Sequence, residues 1–103
     1  MNIQQLKNIV TLAQKLNFTR AAEDMNIVQP AFSRQIKQLE QEIGVKLFNR
    51  DKRNVSLTSA GDYFISESEK ILSHLRKAII KTNKINNGEA GEICIGFTHS
   101  AMQ

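Results

Sequence analysis

The sequence predicts a mainly α-helical fold with a single β-hairpin. Apolar residues recur every three or four positions in three segments before residue 44, which is the spacing of amphipathic helices. Two short strand-like runs follow, separated by a polar segment, and these indicate a hairpin. One apolar stripe then continues from about residue 58 to residue 87, which indicates a long final helix.

The first two helices are predicted by apolar positions and by the residues between them. An apolar face ending at Asn17 predicts helix one, with Leu12 at the edge of that face. Its members are Ile3, Leu6, Ile9, Val10, Ala13 and Leu16. Thr19 is a good N-cap for a short second helix that reaches Met25. Asn26 follows in the turn, where a residue that tolerates positive φ is useful.

Helix three is amphipathic and is predicted to stop at Gly44. At about 100° per residue its apolar residues fall within roughly 60° of arc, and these are Phe32, Ile36, Leu39 and Ile43. The opposite side carries Pro30, Arg34, Lys37 and Gln41, with Ser33 on the flank. Hydrogen-bonding and cationic side chains of this kind meet base edges and phosphates in DNA. An ordinary solvated helix face has a similar composition, so periodicity alone leaves both interpretations open.

The hairpin is predicted from residues 45–48 and 55–57. The segment between them is basic and holds Arg50, Lys52 and Arg53. Such a tip suits insertion beside a phosphate backbone or into a narrow minor groove. An isolated hairpin of this kind is more often an ordinary charged turn. Beside helix three a wing is the better interpretation, so three helices and a hairpin wing together predict a winged helix-turn-helix.

The long helix is predicted over residues 59–87, with Thr58 as its cap. Its apolar stripe consists of Phe64, Ile65, Ile71, Leu72, Leu75, Ala78, Ile79 and Ile85. The core of one small domain would cover only the first turns of this stripe. Leu75 and the residues after it lie about 15 Å or more beyond those first turns along the helix axis. We therefore expect this to be a dimerisation helix that joins two copies in a homodimer.

The formal net charge of +4 is placed unevenly along the chain. Residues 1–61 hold nine basic and five acidic side chains, whereas residues 62–103 hold five of each. The excess lies on the segment with the helix-turn-helix, which favours a polyanionic partner. A basic membrane-surface module would have a similar charge, but it would need a free apolar face, and the apolar residues here are committed to a core.

Other classes of function find little support in the sequence. There is no signal-peptide pattern and no membrane-spanning run. The single cysteine, Cys94, and the scattered His74 and His99 indicate neither a disulfide nor a metal site. No cluster of acid, base and nucleophile suggests an enzyme, so we expect no catalytic residue, no metal and no cofactor. Six aromatic residues, most of them on apolar faces, disfavour RNA binding. A reducing cytoplasm fits best, and a pure dimerisation module remains the alternative.

A string of motifs falls in the order and spacing of one known family. It comprises Ala21-Ala22, Gln29-Pro30, Ser33-Arg34-Gln35-Ile36, Leu39-Glu40, Ile43-Gly44, Leu47-Phe48-Asn49-Arg50, Arg53 and Leu57-Thr58-Ser59-Ala60-Gly61. Residues 1–87 therefore resemble the N-terminal winged helix-turn-helix and linker helix of LysR-type transcriptional regulators. The resemblance implies a bacterial transcription factor whose dimers or tetramers bind an interrupted dyad in double-stranded promoter DNA.

The resemblance, together with the helical wheel, assigns expected roles to residues on helices two and three and on the wing. The expected base contacts are Gln29, Pro30, Ala31, Ser33 and Arg34. The expected backbone or wing contacts are Thr19, Arg20, Lys37, Arg50, Lys52 and Arg53. Among these, Arg53 would reach the minor groove, and Thr19 and Arg20 would bind phosphate through backbone N–H groups and charge. Val28 departs from the family pattern, since it offers helix three no side-chain cap.

The last segment, residues 88–103, changes character. Gly88 and Gly91 break the helix, and the residues after them alternate as a half-buried strand would. In the family the linker passes here into the first strand of an effector-binding domain, so we expect a truncated chain that ends in a hinge and that strand. A small-molecule effector would then act only through the missing domain, near Thr98 and Ser100. The predicted division of the chain is 1–58, 59–87 and 88–103.

Overall fold

The computed structural model describes residues 1–51 and 54–88. Within these ranges the elements are α1 Ile3–Lys15, α2 Phe18–Asp24, α3 Gln29–Ile43, β1 Phe48–Arg50, β2 Val55–Leu57 and α4 Ser59–Asn86. This order confirms the predicted mainly α-helical fold with one hairpin and a long last helix. By its internal contacts the chain divides into a first unit, Met1–Leu72, and a second unit, Ser73–Gln103.

Helix α1 begins with a capping box and ends in a left-handed residue. The Asn2 side chain accepts the Gln5 N–H at 2.8 Å, and the Gln5 side chain accepts the Asn2 N–H at 3.0 Å. Leu16 ends the helix at a φ of 50°. The predicted bounds are therefore confirmed, but two details of the predicted face are wrong. Leu12 is fully buried and not at an edge, whereas Ile3 and Leu16, at the two ends, are exposed.

The N-cap of helix α2 is Asn17. The sequence-based prediction of Thr19 as this cap is therefore wrong. The Asn17 side chain accepts the backbone N–H of Arg20 at 2.9 Å, so the helix begins at Phe18 and Thr19 lies in its first turn. Asn26, in the turn after α2, has a φ of 57°, which confirms the expected positive value.

Helix α3 packs its apolar face into the core of the first unit. Phe32, Ile36 and Leu39 are buried with Ala21 and Ala22 of α2, whose small side chains let the two helices approach closely. The helix ends at Gly44, where φ is 90°, as predicted. Its N-cap, Val28, makes no side-chain hydrogen bond, which confirms the missing cap.

The first strand of the hairpin lies later in the chain than predicted, whereas the second, Val55–Leu57, has the predicted bounds. Strands β1 and β2 are antiparallel, and Phe48 is paired with Leu57 and Arg50 with Val55. The first strand was predicted over residues 45–48, but the N–H groups of Leu47 and Phe48 both donate to the Glu40 carboxylate, so regular pairing begins only at Phe48. Arg50 consequently lies in β1 and not in the tip.

Helix α4 starts directly after β2 and is tied to the segment before β1. The Thr58 hydroxyl accepts the Gly61 N–H at 2.9 Å, which confirms the predicted cap, and donates to the Lys46 carbonyl at 2.8 Å. Gly61 lies against Leu47, because a Cβ at this position would be 1.9 Å from the Leu47 carbonyl oxygen. The absence of a side chain is therefore what permits this contact.

The apolar stripe of α4 divides between two environments. Ile65 is buried in the core, so its assignment to a dimer interface is wrong. Phe64 and Leu72 are half-buried and pack against the same core, and their place in a dimer interface stays a prediction. The remaining stripe residues are exposed, and these are Ile71, Leu75, Ala78, Ile79 and Ile85. The first turns of α4 thus complete the core because they follow the hairpin without an intervening loop.

Candidate nucleic-acid interface

The outer face of α3 carries the five predicted base contacts near its start. Gln29, Pro30 and Arg34 are exposed, and Ala31 and Ser33 are half-buried. The Gln29 side-chain amide donates to the Ser33 hydroxyl at 2.7 Å, which holds these two polar groups together one turn apart. The face therefore presents amide, hydroxyl and guanidinium groups along its first two turns.

A cleft of about 520 Å³ runs between this face and the hairpin. Its lining residues are Phe18, Gln29, Pro30, Ser33, Arg34, Lys37, Arg50, Asp51 and Val55. Four of the five predicted base contacts and the predicted phosphate contact Lys37 thus share one concave surface. Ala31 is the predicted base contact that does not line it.

The two cations on this face, Arg34 and Lys37, are not held in ion pairs by the part of the chain that the structure describes. Within residues 1–51 and 54–88, neither Arg34 nor Lys37 takes part in an ion pair. By contrast, Lys15 at the end of α1 lies 3.2 Å from the Asp24 carboxylate. Unpaired cations beside hydrogen-bonding side chains suit a polyanion that also presents hydrogen-bond donors and acceptors.

The start of α2 offers only part of the phosphate-binding groups that the sequence predicts at Thr19 and Arg20. Thr19 and Arg20 are both exposed. The backbone N–H of Arg20 already donates to Asn17, so this N–H is not available to a phosphate. The expectation of backbone binding at Arg20 is therefore wrong, and what remains at this position is the charge of its side chain.

Arg50 is turned toward the protein and does not lie at the hairpin tip. Its Nη2 lies 3.0 Å from Oε1 of Glu40, and its guanidinium carbon lies 5.1 Å from the centre of the Phe18 ring. Only a quarter of the side chain is exposed. Lys52 and Arg53, the other predicted wing cations, lie outside the described residues.

Glu40 was absent from the predicted site residues, although the sequence contains a signal for it. It follows Ile36 by four positions, which places it on the inner side of α3 with the apolar residues. A carboxylate on a buried face needs partners. Here the partners are the N–H groups of Leu47 and Phe48 and the guanidinium of Arg50.

The remaining predicted features concern other kinds of site. Within the described ranges, no group of three or more His, Cys, Asp and Glu side chains is placed to hold a metal ion. No helix of that part of the chain is both long and apolar enough to cross a membrane. Cys94, His99, Thr98 and Ser100, and with them the predicted last strand, fall outside the described residues.

Comparison with known proteins adds relatives along nearly the whole chain. Residues 3–62 match the family model described as "Bacterial regulatory helix-turn-helix protein, lysR family". The chain is 47% identical over 103 residues to the uncharacterized HTH-type transcriptional regulator YnfL of Escherichia coli (strain K12), a match that covers 98% of this chain and 35% of that protein. It is 44% identical over 101 residues to the Hca operon transcriptional activator HcaR of the same strain, which covers 98% and 34%. The chain thus spans about a third of the length of these curated relatives.

Solved structures with the same fold include complexes with DNA. The chain resembles the protein in the BenM_DBD/benA site 1 DNA complex with a TM-score of 0.80 and 35% identity, covering 82% of this chain and 96% of that one. It resembles the protein in the CbnR_DBD-DNA complex with a TM-score of 0.77 and 31% identity, covering 81% and 95%.

Proposed function

Because the chain belongs to the LysR family of bacterial regulatory helix-turn-helix proteins, we propose that it binds double-stranded promoter DNA and thereby regulates transcription. It acts as a homodimer, and its site is an interrupted dyad with one half-site for each copy. Its place of action is the cytoplasm, where a bacterial promoter lies. Relatives named as transcriptional regulators and neighbours solved with DNA support this proposal.

The observation that carries the proposal is the cleft beside α3 with its unpaired cations. Helix-turn-helix proteins place residues at the start of the second helix against base edges in the major groove. We assign direct base contacts to the five predicted residues, Gln29, Pro30, Ala31, Ser33 and Arg34. Thr19, Arg20 and Lys37 contact phosphates, and Lys52 and Arg53 extend the contact from the wing.

Dimerisation belongs to the exposed part of the α4 stripe. Ile71, Leu75 and Ile79 follow one another at intervals of four residues, so they lie on one face of the helix, and each is at least 39% exposed. A second copy of the helix would remove these side chains from water. In this proposal residues 1–58 form the DNA-binding domain, residues 59–87 the dimerisation helix, and residues 88–103 the hinge and first strand of an effector-binding domain. A small-molecule effector acts only through that domain.

DNA reading is tested by selecting from random duplexes that contain interrupted dyads and then measuring fluorescence anisotropy at two salt concentrations. Arg34→Ala should weaken binding to the selected duplex by about 1 to 3 kcal/mol and relax base preference at one position. Lys37→Ala should weaken binding to selected and random duplexes alike and reduce the salt slope by about one. Lys81→Ala, which removes an exposed charge from α4, is the matched control and should change neither quantity. Equal effects of Arg34→Ala and Lys37→Ala on selected and random DNA would contradict these roles.

The alternative function is a dimerisation module that holds DNA only through charge. Salt-sensitive binding without enrichment of any sequence would favour it over sequence reading. Sedimentation equilibrium tests the dimer itself: Ile79→Glu should produce monomers. Lys77→Glu, at an exposed position on the side of α4 away from the stripe, should leave the dimer intact. A wild-type chain that sediments as a monomer at micromolar concentration would remove the homodimer from the proposal.

A further inference from the structure

We infer that the Glu40–Arg50 pair positions the hairpin wing against α3, so that Arg50 acts in DNA binding through the wing and not through its own charge. This inference rests on the proposed DNA-binding function. It names two positioning residues that touch no base in the proposed arrangement. Its main consequence is that removing the negative charge of Glu40 should weaken binding to the selected duplex, although DNA is itself negatively charged.

The carboxylate of Glu40 gathers three donors from the chain that enters the hairpin. Its Oε2 accepts the N–H of Leu47 at 2.8 Å and the N–H of Phe48 at 3.1 Å. Its Oε1 accepts from Arg50 Nη2 at 3.0 Å. The Glu40 side chain is only 6% exposed, so these bonds are shielded from competing water. One buried side chain of α3 therefore fixes the course of the backbone into β1.

Arg50 extends this connection to α2. Its guanidinium lies over the Phe18 ring at 5.1 Å. Phe18 in turn meets Phe32 of α3 edge to face, with ring centres 6.2 Å apart. The Nε of Arg50 is buried and has no hydrogen-bond partner among the described residues, so Arg50 holds Glu40 through Nη2 alone. Strand β1 is thus held to both helices of the helix-turn-helix through one side chain.

Electrostatics and positioning predict opposite results for the same substitution. Glu40 lies on the helix that carries Arg34 and Lys37, so its negative charge opposes the attraction of DNA. On charge alone, removing that charge should strengthen binding to every duplex. If the pair positions the wing, removing it should weaken binding to the selected duplex, because the wing contacts are no longer aligned with those of α3.

Glu40→Gln separates the two explanations with little change of shape. Both backbone N–H groups use the same carboxylate oxygen, and the glutamine oxygen can continue to accept them. The amide NH₂ then faces Arg50, which places donor against donor. Glu42→Gln is the matched control, since it removes the same charge from the same helix at an exposed position. Arg50→Lys is the second variant, because it keeps the positive charge but loses the flat guanidinium that lies over the Phe18 ring.

The readouts are binding to selected and random duplexes, and hydrogen exchange of the Leu47 and Phe48 amides in the protein without DNA. We expect the ratio of selected to random affinity to fall about tenfold for Glu40→Gln and for Arg50→Lys, with faster exchange of both amides. Glu42→Gln should preserve the ratio and the exchange rates. Destabilisation without a positioning effect would lower both affinities equally and leave their ratio unchanged.

Each outcome bears on a different statement. A Glu40→Gln protein that binds the selected duplex as tightly as wild type, or an Arg50→Lys protein with an unchanged ratio, would overturn the positioning role. If Glu40→Gln does not fold, Arg50→Lys decides the question alone. If the wild-type protein binds no duplex, the proposed function fails, whereas the amide exchange rates still report whether the pair holds the hairpin.

Discussion

Replacing Gly61 with alanine should destabilise the first unit although alanine favours helices. An alanine Cβ at this position would lie 1.9 Å from the carbonyl oxygen of Leu47, 2.8 Å from its carbonyl carbon and 3.0 Å from its Cα. All three neighbours are backbone atoms, which cannot rotate away as a side chain can. The start of α4 must therefore move away from the segment before β1 by more than an ångström.

The expected magnitude follows from three contributions. Overpacking typically destabilises by 1 to 3 kcal/mol, and a contact this short with backbone belongs at about the upper end. The movement also stretches the hydrogen bonds from Thr58 to the carbonyls of Leu47 and Lys46, which measure 3.0 and 2.8 Å and contribute about 1 kcal/mol each. Helix propensity returns about 1 kcal/mol in favour of alanine. The net loss should be about 2 to 4 kcal/mol.

Urea denaturation followed by circular dichroism measures this loss at one fixed protein concentration, because the proposed dimer would make stability depend on concentration. Gly44→Ala is the informative comparison: φ there is 90°, but a Cβ meets nothing within 4 Å, so strain alone should reduce stability by about 1 to 2 kcal/mol. Ala60→Gly, at an exposed neighbour, should lose about 1 kcal/mol of helix propensity. A Gly61→Ala protein as stable as wild type would refute the close approach of the two backbones.

Four further substitutions test the interior and the cap of α2 by the same denaturation assay. Asn8→Ala should reduce stability by about 1 to 3 kcal/mol, because fully buried Asn8 donates to the Gln35 side chain, which would lose its partner; a loss below 0.5 kcal/mol would contradict this role. Asn17→Ala should lose about 1 kcal/mol and Thr19→Ala much less, and the reverse order would return the cap to Thr19. Ser68→Ala should be nearly neutral, since the buried hydroxyl donates only to a carbonyl one turn earlier in its own helix; a loss above 1 kcal/mol would show that the hydroxyl stabilises the core.

The helices could be predicted from the sequence because their bounds depend on local signals. Apolar spacing defines the buried face of α3, Gly44 supplies the positive φ that ends it, and the Thr58 hydroxyl caps α4. The cap of α2 could not be chosen in this way, because Asn17 and Thr19 are both good caps by residue type. Only the backbone geometry decides which oxygen reaches a free N–H group.

The error at Arg50 comes from the bounds of the first strand. The sequence places Arg50 in the hairpin tip because the apolar run that predicts this strand ends at Phe48, whereas β1 extends to Arg50. Its actual position depends on Glu40, ten residues earlier in the chain, and on Phe18 in α2. A long-range pair of this kind leaves no local pattern. The burial of Ile65 could not be predicted for a different reason, since spacing alone does not distinguish the core of one copy from an interface between two.

The junction at Thr58 and Gly61 joins the start of α4 directly to the segment before the wing. Backbone meets backbone at Gly61, and the hydroxyl of Thr58 donates to the Lys46 carbonyl in the chain that enters the wing. A substitution that shifts the start of α4 would therefore shift the entry into the hairpin as well. A residue far from the outer face of α3 would in this way alter the position of the wing.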